Sequence, residues 1–235
     1  MTTLQLTHKA IVNKTSVYQK NIFDLSKMKL GTPNAYPHRV LKNSKNKKIG
    51  PKVTKGRLAG LPIKTLTLVE RESCTTDCEH YLDCYGNSMP FAHRFVGNLG
   101  LRPYLSRDLD DYNLKHKNGF LVRLHVLGDF FSPEYVQFWE YQLENKLLLD
   151  IYGYCRWHPN TQIGDSILAL RNKYPDRFKI RFSNYLDDDF SARSESIWRS
   201  RDDGIICPVQ TEKVDSCGAC SLCWSSDKPI NFYTH

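Results

Sequence analysis

The eight cysteines are the residues of this sequence whose type and spacing are best suited to chemistry. Four of them, Cys207, Cys217, Cys220 and Cys223, fall within 17 residues near the C-terminus, the last three in the run Cys-Gly-Ala-Cys-Ser-Leu-Cys. A Cys-x2-Cys-x2-Cys run lets three sulfurs converge on one cluster, and a more distant cysteine completes the ligand set of a cubane. The spacing therefore predicts a metal centre at these four residues, with a 4Fe–4S cluster as the favoured cofactor.

Zinc is the alternative occupant of the same four thiolates. A zinc ion takes four cysteines in a tetrahedral set, although zinc ribbons usually carry two separated Cys-x2-Cys pairs. Buried or reactive thiols without a metal are the third alternative. In either metal case the centre could serve only to fasten a weakly structured C-terminal tail to the domain.

A second group of cysteines follows the first predicted strand, at Cys74, Cys78 and Cys84, with the spacing Cys-x3-Cys-x5-Cys. The group resembles the loop with which radical S-adenosylmethionine enzymes hold a cluster that has one open iron position. Those enzymes usually have Cys-x3-Cys-x2-Cys, so this sequence departs at the third ligand, and S-adenosylmethionine is a disfavoured cofactor. We expect these thiols, with His80, to bind a structural ion or to complete a site shared with the C-terminal group. Cys155 is interpreted as a core cysteine, with a fourth-ligand role as the alternative.

Polar residues stand at the ends of three successive predicted strands. His125 and Asp129 follow one strand and are weak catalytic candidates, while Arg156 and Asn184 follow the next two. The alternative is structural, with Asp129 or Ser132 capping a helix and His125 hydrogen-bonded in the core. Because functional side chains of parallel α/β folds gather at the carboxyl ends of strands, we expect one polar mouth here that also contains the loop cysteines.

The elements that must position these residues alternate between strands and helices. Apolar, β-rich runs predict strands, and apolar stripes at helical spacing, one opened by Ser132 and Pro133, predict helices. The strands are predicted at 64–69, 120–127, 149–154, 178–182 and 204–207, and the helices at 134–146 and 165–173. This alternation predicts an α/β fold with a mostly parallel sheet, open or curved into a partial barrel, and helical crossovers.

The length and composition of the chain predict one globular domain with decorations. The chain has 235 residues, of which 40% are hydrophobic, enough for one substantial core. We expect an irregular, basic N-terminal arm over 1–57 and a single α/β metal-binding domain over 58–235, ending in the cysteine-rich tail.

The net charge of +8 is unevenly distributed. Seven cations and no acidic residue occur from Lys42 to Arg57. Such a run can contact nucleic-acid phosphates, which makes nucleic acid a candidate partner, and a solvated basic linker is the alternative.

The sequence also indicates where in the cell the protein is located. No apolar run approaches the roughly 18 residues that a membrane span requires, and the N-terminus lacks the pattern of a secretory signal. We therefore expect no membrane partner and a cytoplasmic location. Thiols are kept reduced in the cytoplasm, which favours metal binding over disulfides.

The combined pattern resembles bacteriophage proteins of the gene product eighty-eight type. The resemblance rests on the segments 74–86, 123–132, 152–154, 181–184 and 207–224, and it covers roughly Leu61 to Trp224. It implies a bacteriophage origin, hence the host-cell cytoplasm, and an iron–sulfur site. It implies no activity.

Three functions are compatible with these patterns. The favoured hypothesis is a phage-encoded iron–sulfur protein with a structural, redox or regulatory cluster. The alternatives are a radical S-adenosylmethionine-like enzyme, which rests on analogy of pattern, and a zinc-stabilised nucleic-acid-binding protein.

Overall fold

The structure is a computed structural model that describes residues 39–81, 84–89, 92–201 and 203–233, together with a two-residue strand at Ile22–Phe23. Apart from that strand, residues 1–38 of the predicted N-terminal arm lie outside the described residues. No helix in the described part of the chain has the length and apolar character needed to cross a membrane.

The protein is built on an eight-stranded sheet that is open and parallel except at one edge. Its spatial order is β2-β3-β5-β6-β7-β8-β10-β9, and only β2 and β3 pair antiparallel. A separate parallel pair is formed by β1 and β4. The strands are β1 Ile22–Phe23, β2 Lys42–Asn43, β3 Ile63–Thr65, β4 Arg94–Phe95, β5 Phe120–Leu124, β6 Leu149–Cys155, β7 Phe178–Ser183, β8 Ser191–Arg193, β9 Ile205–Ile206 and β10 Ile230–Asn231. The predicted α/β class with a mostly parallel sheet is confirmed.

Two predicted strands end earlier than expected. Regular pairing stops at Thr65 in β3 and at Leu124 in β5, although the predictions ran to 69 and 127. Single backbone hydrogen bonds continue beyond these ends, from Val126 N to Leu66 O at 2.8 Å and from Leu68 N to Leu127 O at 3.0 Å. The apolar runs thus remain paired, but without the regular spacing of a strand.

Within the described ranges, six α-helices connect or follow these strands. They are α1 Arg102–Lys115, α2 Pro133–Asn145, α3 Gln162–Lys173, α4 Glu195–Trp198, α5 Cys217–Cys220 and α6 Leu222–Ser225. Short 3-10 helices lie at Tyr85–Ser88 and Leu99–Leu101. Helix α2 begins as predicted, because the Ser132 hydroxyl accepts the Tyr135 amide at 3.2 Å and Pro133 occupies the first turn.

Helix α1 was not predicted from the sequence, and Asp108 explains the omission. Its buried stripe contains Tyr104, Leu105, Leu109 and Tyr112, and a fully buried carboxylate interrupts the apolar pattern. The Asp108 carboxylate accepts the backbone amides of Val40 and Leu41, at 2.7 and 3.0 Å. A buried acid is tolerated here because its oxygens are hydrogen-bonded.

The two faces of the sheet are covered by different parts of the chain. The three long helices pack on one face, where Val122, Ile151 and Ile180 belong to the main apolar cluster. On the opposite face, a second cluster combines sheet residues with two irregular segments. Its members are Ile49, Val53, Leu58, Leu61, Ile63, Leu121, Val126, Tyr152, Cys223 and Trp224.

The basic segment from Lys42 to Arg57 therefore contributes to the packed structure. Lys42 begins strand β2, Val53 is fully buried, and Arg57 pairs with Asp150 at 2.6 Å. The segment still exposes most of its cations to solvent, while Ile49 and Val53 are buried.

Candidate metal centre

The C-terminal cysteines are positioned by two short helices. Ser216 caps α5 by accepting the Ala219 amide at 3.2 Å, which places Cys217 and Cys220 on one helical turn. Ser221 then adopts a left-handed backbone conformation, with φ of 64°, and separates α5 from α6, which carries Cys223. Cys207 follows strand β9. The local turns thus arrange the Cys-x2-Cys-x2-Cys run on consecutive helical turns.

The tail is held against the basic segment by backbone hydrogen bonds. The Cys217 amide donates to Lys48 O at 2.6 Å, the Gly218 amide donates to Ile49 O at 3.0 Å, and Thr54 N donates to Gly218 O at 3.0 Å. A Cβ atom on Gly218 would lie 2.1 Å from the carbonyl oxygen of Lys52, so this close approach requires glycine.

One buried side chain that joins the tail to the sheet is Arg181 on β7. Its guanidinium donates to the carbonyl oxygens of Cys223 at 3.0 Å, Leu222 at 3.2 Å and Ser226 at 2.5 Å. It also donates to those of Lys228 at 2.9 Å and Ser191 at 3.2 Å. Five carbonyl groups therefore accept hydrogen bonds from one cation, and the Leu222 oxygen also accepts the Ser226 amide at 3.1 Å.

The four tail thiols lie within electrostatic range of one another. Burial raises the pKa of Cys217, and negative charge on Cys223, Cys207 and Cys220 raises it further. The pKa of Cys207 is likewise raised by burial and by Cys220, while the backbone amides of Gln210 and Val209 directed at its sulfur oppose that shift. The raised pKa values keep the thiols of Cys207 and Cys217 protonated at neutral pH.

Two buried arginines, Arg123 and Arg181, flank this group. Burial raises the pKa of Cys223, and hydrogen bonding from Tyr154 and the charges of both arginines oppose that shift. Within the described residues, neither guanidinium has a carboxylate at ion-pair distance: Arg123 donates to Leu124 O at 2.6 Å and lies over the rings of Tyr152 and Tyr154. Because buried charges are normally compensated, two such cations beside four thiols favour an anion at this place.

Two tyrosines of strand β6 complete the surroundings of the tail thiols. The Tyr154 hydroxyl lies 2.9 Å from Cys223 Sγ. The Tyr152 hydroxyl is buried and has no hydrogen-bond partner among the described residues, and its ring packs at an angle of 58° against that of Trp224, with 4.6 Å between centroids. It lies within electrostatic range of Cys217 and Cys223. A buried donor without an acceptor beside two thiols is what a bound anionic group would satisfy.

The three loop cysteines form a second group, and each sulfur faces a backbone amide. The Gly86 amide donates to Cys84 Sγ at 3.4 Å, and the amides of Arg71 and His80 are directed at Cys74 and Cys78. Burial raises the pKa of Cys74 to about 12, Asp129 raises it further, and Cys84 and Cys78 also contribute. Hydrogen bonds from amides favour the thiolate, so they oppose the effect of burial.

The loop lies at the carboxyl end of the sheet, as predicted. Ser73, next to Cys74, accepts the Asp129 amide at 3.0 Å, and the Asp129 carboxylate accepts the Arg156 amide at 2.7 Å. Arg156 donates to Asp77 O at 3.3 Å in the same loop. The Asn184 side chain donates to the Glu79 carboxylate. These contacts bring Asp129, Arg156 and Asn184 together with the loop cysteines at one edge.

His125 does not line this edge but lies in the core beneath α2. Its Nε2 is 3.1 Å from the Tyr135 hydroxyl, its ring packs edge-on against Phe130, and burial lowers its pKa to about 3. It is therefore a neutral core histidine, in agreement with the structural alternative. Ser132, and not Asp129, caps the helix.

The two groups of cysteines occupy different places. The tail group faces Arg123, Tyr154 and Arg181, on the side of the sheet opposite the long helices. The loop group lies with Asp129 and with Cys155, which belongs to the helix-side cluster. The principal thiol–thiol interactions of each group are internal, although Met89, just beyond the loop, packs against the tail-side cluster.

Neither group of thiols is arranged as a complete set of metal ligands in the described part of the chain. Among the described residues, no three or more His, Cys, Asp or Glu side chains are arranged as a metal site. All eight cysteines are free thiols.

Sequence reasoning missed Arg123, Tyr152, Tyr154 and Arg181 as parts of the tail site. Their signal is the strand register, because Arg123 pairs with Tyr152 and Tyr154 pairs with Arg181 on neighbouring strands of a buried sheet. An arginine in a central strand buried on both faces requires an acceptor, and that requirement is visible once the strands are aligned.

Comparison of the chain with protein-family models, with curated proteins and with solved structures found no match.

Proposed function

We propose that this chain is an iron–sulfur protein whose 4Fe–4S cluster is bound by Cys207, Cys217, Cys220 and Cys223. The observation that carries the proposal is the pair of buried guanidinium groups beside four free thiols. A cluster bound by four thiolates is an anionic group, and Arg123 and Arg181 supply compensating charge. The resemblance to phage proteins and a cytoplasmic location in the host remain predictions that fit a reduced thiolate centre.

The tail residues fit such a group chemically. Cysteine thiolates are the usual ligands of iron–sulfur clusters, and hydrogen bonds to sulfur and burial tune the reduction potential. Tyr154 already contacts Cys223 Sγ, and the backbone amides of Val209 and Gln210 point at Cys207. The cluster would supply electron transfer or structural reinforcement, and the protein residues would orient its ligands and balance its charge.

Anaerobic purification with iron, sulfide and zinc analysis tests this proposal. We expect iron and sulfide, a broad visible absorption that bleaches on reduction, and loss of this centre in Cys217→Ala, Cys220→Ala and Cys223→Ala. Ser226→Ala, a tail substitution that removes no thiol, is the matched control and should retain the spectrum. Full metal and spectrum in all three cysteine variants would contradict the assignment.

Zinc is the second candidate, because four thiolates around one zinc ion also carry net negative charge that the arginines would balance. Zinc content with a featureless visible spectrum would replace the iron–sulfur proposal by a zinc-stabilised fold, for which nucleic-acid binding by the basic segment is the proposed role.

A radical S-adenosylmethionine-like enzyme is supported only by the place of the loop cysteines at the carboxyl end of the sheet, beside Asp129 and Arg156. Addition of S-adenosylmethionine to the reduced protein tests it by electron paramagnetic resonance. We expect an unaltered spectrum, and a new signal at saturating ligand would establish the enzyme instead.

A further inference from the structure

The eight cysteines of the chain divide into two sets of four. The tail set is the one proposed above to bind a cluster. The remaining four are the loop cysteines Cys74, Cys78 and Cys84, together with Cys155 at the end of strand β6. With this division no cysteine is left over.

Cys155 lies next to the loop group, although 71 residues separate it in sequence from Cys84. Its thiol donates to Trp157 O at 3.7 Å and lies within electrostatic range of Asp129 and Cys74. Cys74 in turn interacts with Cys84 and Cys78. Cys74 therefore connects the buried thiol of the strand to the two other thiols of the loop.

The loop is already fixed around this point by other contacts. The indole of Trp157 donates to Ser73 O at 3.4 Å, and Arg156 donates to Asp77 O at 3.3 Å. Both residues immediately follow Cys155, so the end of β6 and the loop are joined on both sides of Cys74. These contacts fix the relative positions of the loop and the strand end that carry the four thiols.

The backbone around the loop thiols also suits metal binding. One amide is directed at each of Cys74, Cys78 and Cys84, with donors at Arg71, His80 and Gly86. Amide hydrogen bonds stabilise ligating thiolates and orient them, and they are a recurring feature of thiolate-bound metals.

We propose that Cys74, Cys78, Cys84 and Cys155 form a second metal centre, separate from the tail centre and closed by four thiolates. The occupant is a thiolate-preferring metal, either zinc or an iron–sulfur cluster. Its effect is to fasten the loop to the carboxyl end of β6. Binding requires the Cys155 thiol to turn from the carbonyl oxygen of Trp157 and to lose its proton to solvent as the metal enters, since metal ligands are deprotonated.

The experiment compares metal content per chain in Cys155→Ala, Cys74→Ala and a matched control, Ile151→Val. Ile151 lies on the same strand and in the same apolar cluster as Cys155, and its truncation removes a methyl group but no ligand. Zinc, iron and sulfide are measured after anaerobic purification, with circular dichroism to verify folding. We expect each cysteine variant to lose the amount of metal that one centre binds per chain, and the control variant to lose none.

The outcomes separate this proposal from the tail assignment. Full metal content in Cys74→Ala would overturn the second centre. Loss in Cys74→Ala but full retention in Cys155→Ala would overturn the four-thiolate closure and leave a three-cysteine centre. Cys217→Ala should remove only the metal bound by the tail cysteines. If the tail cysteines bind no metal, the result for the loop cysteines is therefore unaffected.

Cobalt titration of the metal-free wild type keeps the proposal testable if a variant fails to fold. Two tetrahedral thiolate sites predict two saturable steps in the sulfur-to-cobalt absorption. A single step with the stoichiometry of one ion would contradict the second centre. Zinc and an iron–sulfur cluster as natural occupant are distinguished by the iron and sulfide content of the Cys217→Ala variant.

Discussion

At the scale of single residues, the unusual feature of this protein is a set of buried cations that contact only neutral groups. Arg181 is fully buried and donates to five carbonyl oxygens, and Arg123 is buried beside two tyrosine rings. Burying a guanidinium without a nearby carboxylate is costly unless hydrogen bonds and another anion compensate. These two residues therefore connect the stability of the tail to the chemistry of its thiols.

Replacement of Arg181 tests this connection. We expect Arg181→Met to reduce the free energy of unfolding by about 3 kcal/mol or more, because several buried carbonyl groups lose their donor. Urea denaturation under constant metal conditions measures the change. The control is Arg199→Met, which removes an exposed ion pair with Glu195 and should change stability by no more than about 0.5 kcal/mol. Equal effects of the two substitutions would show that Arg181 does not hold the tail.

The neutral histidine in the core predicts a dependence of stability on pH. Burial lowers the pKa of His125 to about 3, so the unfolded chain binds a proton below about pH 6.5 that the folded protein does not. Its contribution is fully present above pH 6.5 and is lost as the pH falls toward 3. Between pH 6.5 and 5, the free energy of unfolding should fall by about 2 kcal/mol from this group.

Two variants measure the histidine effect. Urea denaturation of His125→Gln should lack this component of the pH dependence, whereas the exposed His93→Gln should retain the wild-type dependence. An identical dependence in His125→Gln and the wild type would assign the acid sensitivity to other groups.

At the scale of elements, the segment from Lys42 to Arg57 combines packing and charge. Its apolar residues Ile49 and Val53 are buried against the sheet, and its exposed lysines make no ion pair within the described part of the chain. These exposed lysines are Lys45, Lys47, Lys48, Lys52 and Lys55. Deletion of the segment would expose the tail-side apolar cluster, so nucleic-acid binding is better tested by point substitutions.

Substitution of two exposed lysines tests nucleic-acid binding. If the segment contacts phosphates, affinity for duplex DNA should fall steeply with salt, and Lys45→Ala with Lys47→Ala should reduce the slope of log affinity against log salt by about 2. Fluorescence anisotropy at several salt concentrations measures the slope. Lys115→Ala with Lys117→Ala, two exposed lysines at the end of α1, is the control. Equal slopes in both double variants would indicate that the segment has a structural role and does not bind nucleic acid.

At the scale of the whole molecule, the two faces of the sheet are covered by segments that are stabilised differently. The helix side is covered by α1, α2 and α3, which bury mostly apolar stripes, with that of α1 interrupted by Asp108. The opposite side is covered by irregular segments. The tail has only four-residue helices there, and it is held by the Arg181 hydrogen bonds, by backbone hydrogen bonds to the basic segment and by the contact of Tyr154 with Cys223. A metal centre in the tail would therefore contribute a large share of the stability of that face.

Metal removal should destabilise the fold cooperatively. Binding to a site that exists only in the folded state adds to folding stability, by about 4 kcal/mol when the free ligand is at roughly a thousand times its dissociation constant. In a chain of this size, that loss lowers the Tm by on the order of 10 °C. Calorimetry before and after anaerobic chelation measures it, and a Cys217→Ala variant should show a smaller shift. An unchanged Tm would show that the tail centre does not contribute to the stability of the fold.

The strands and helices with clear periodicity, and the grouping of cysteines in the tail, could be predicted from the amino-acid sequence. Strands β5, β6 and β7 and helices α2 and α3 could be predicted because their signals lie within a few neighbouring residues. Two- and three-residue strands such as β2 and β8 were missed, since a period cannot be measured over so short a run. Helix α1 was missed because Asp108 occupies its buried stripe.

Which side chains meet follows from the folded arrangement. Arg181 contacts carbonyl groups about 40 residues later in the chain, and Cys155 lies within electrostatic range of Cys74, 81 residues away in sequence. Such contacts depend on strand order and register, which bring distant residues to the same edge or face of a sheet and which local periodicity does not encode. The sequence therefore determined that the thiols come in closely spaced groups, and the sheet decided which face or edge each group occupies and which charges surround it.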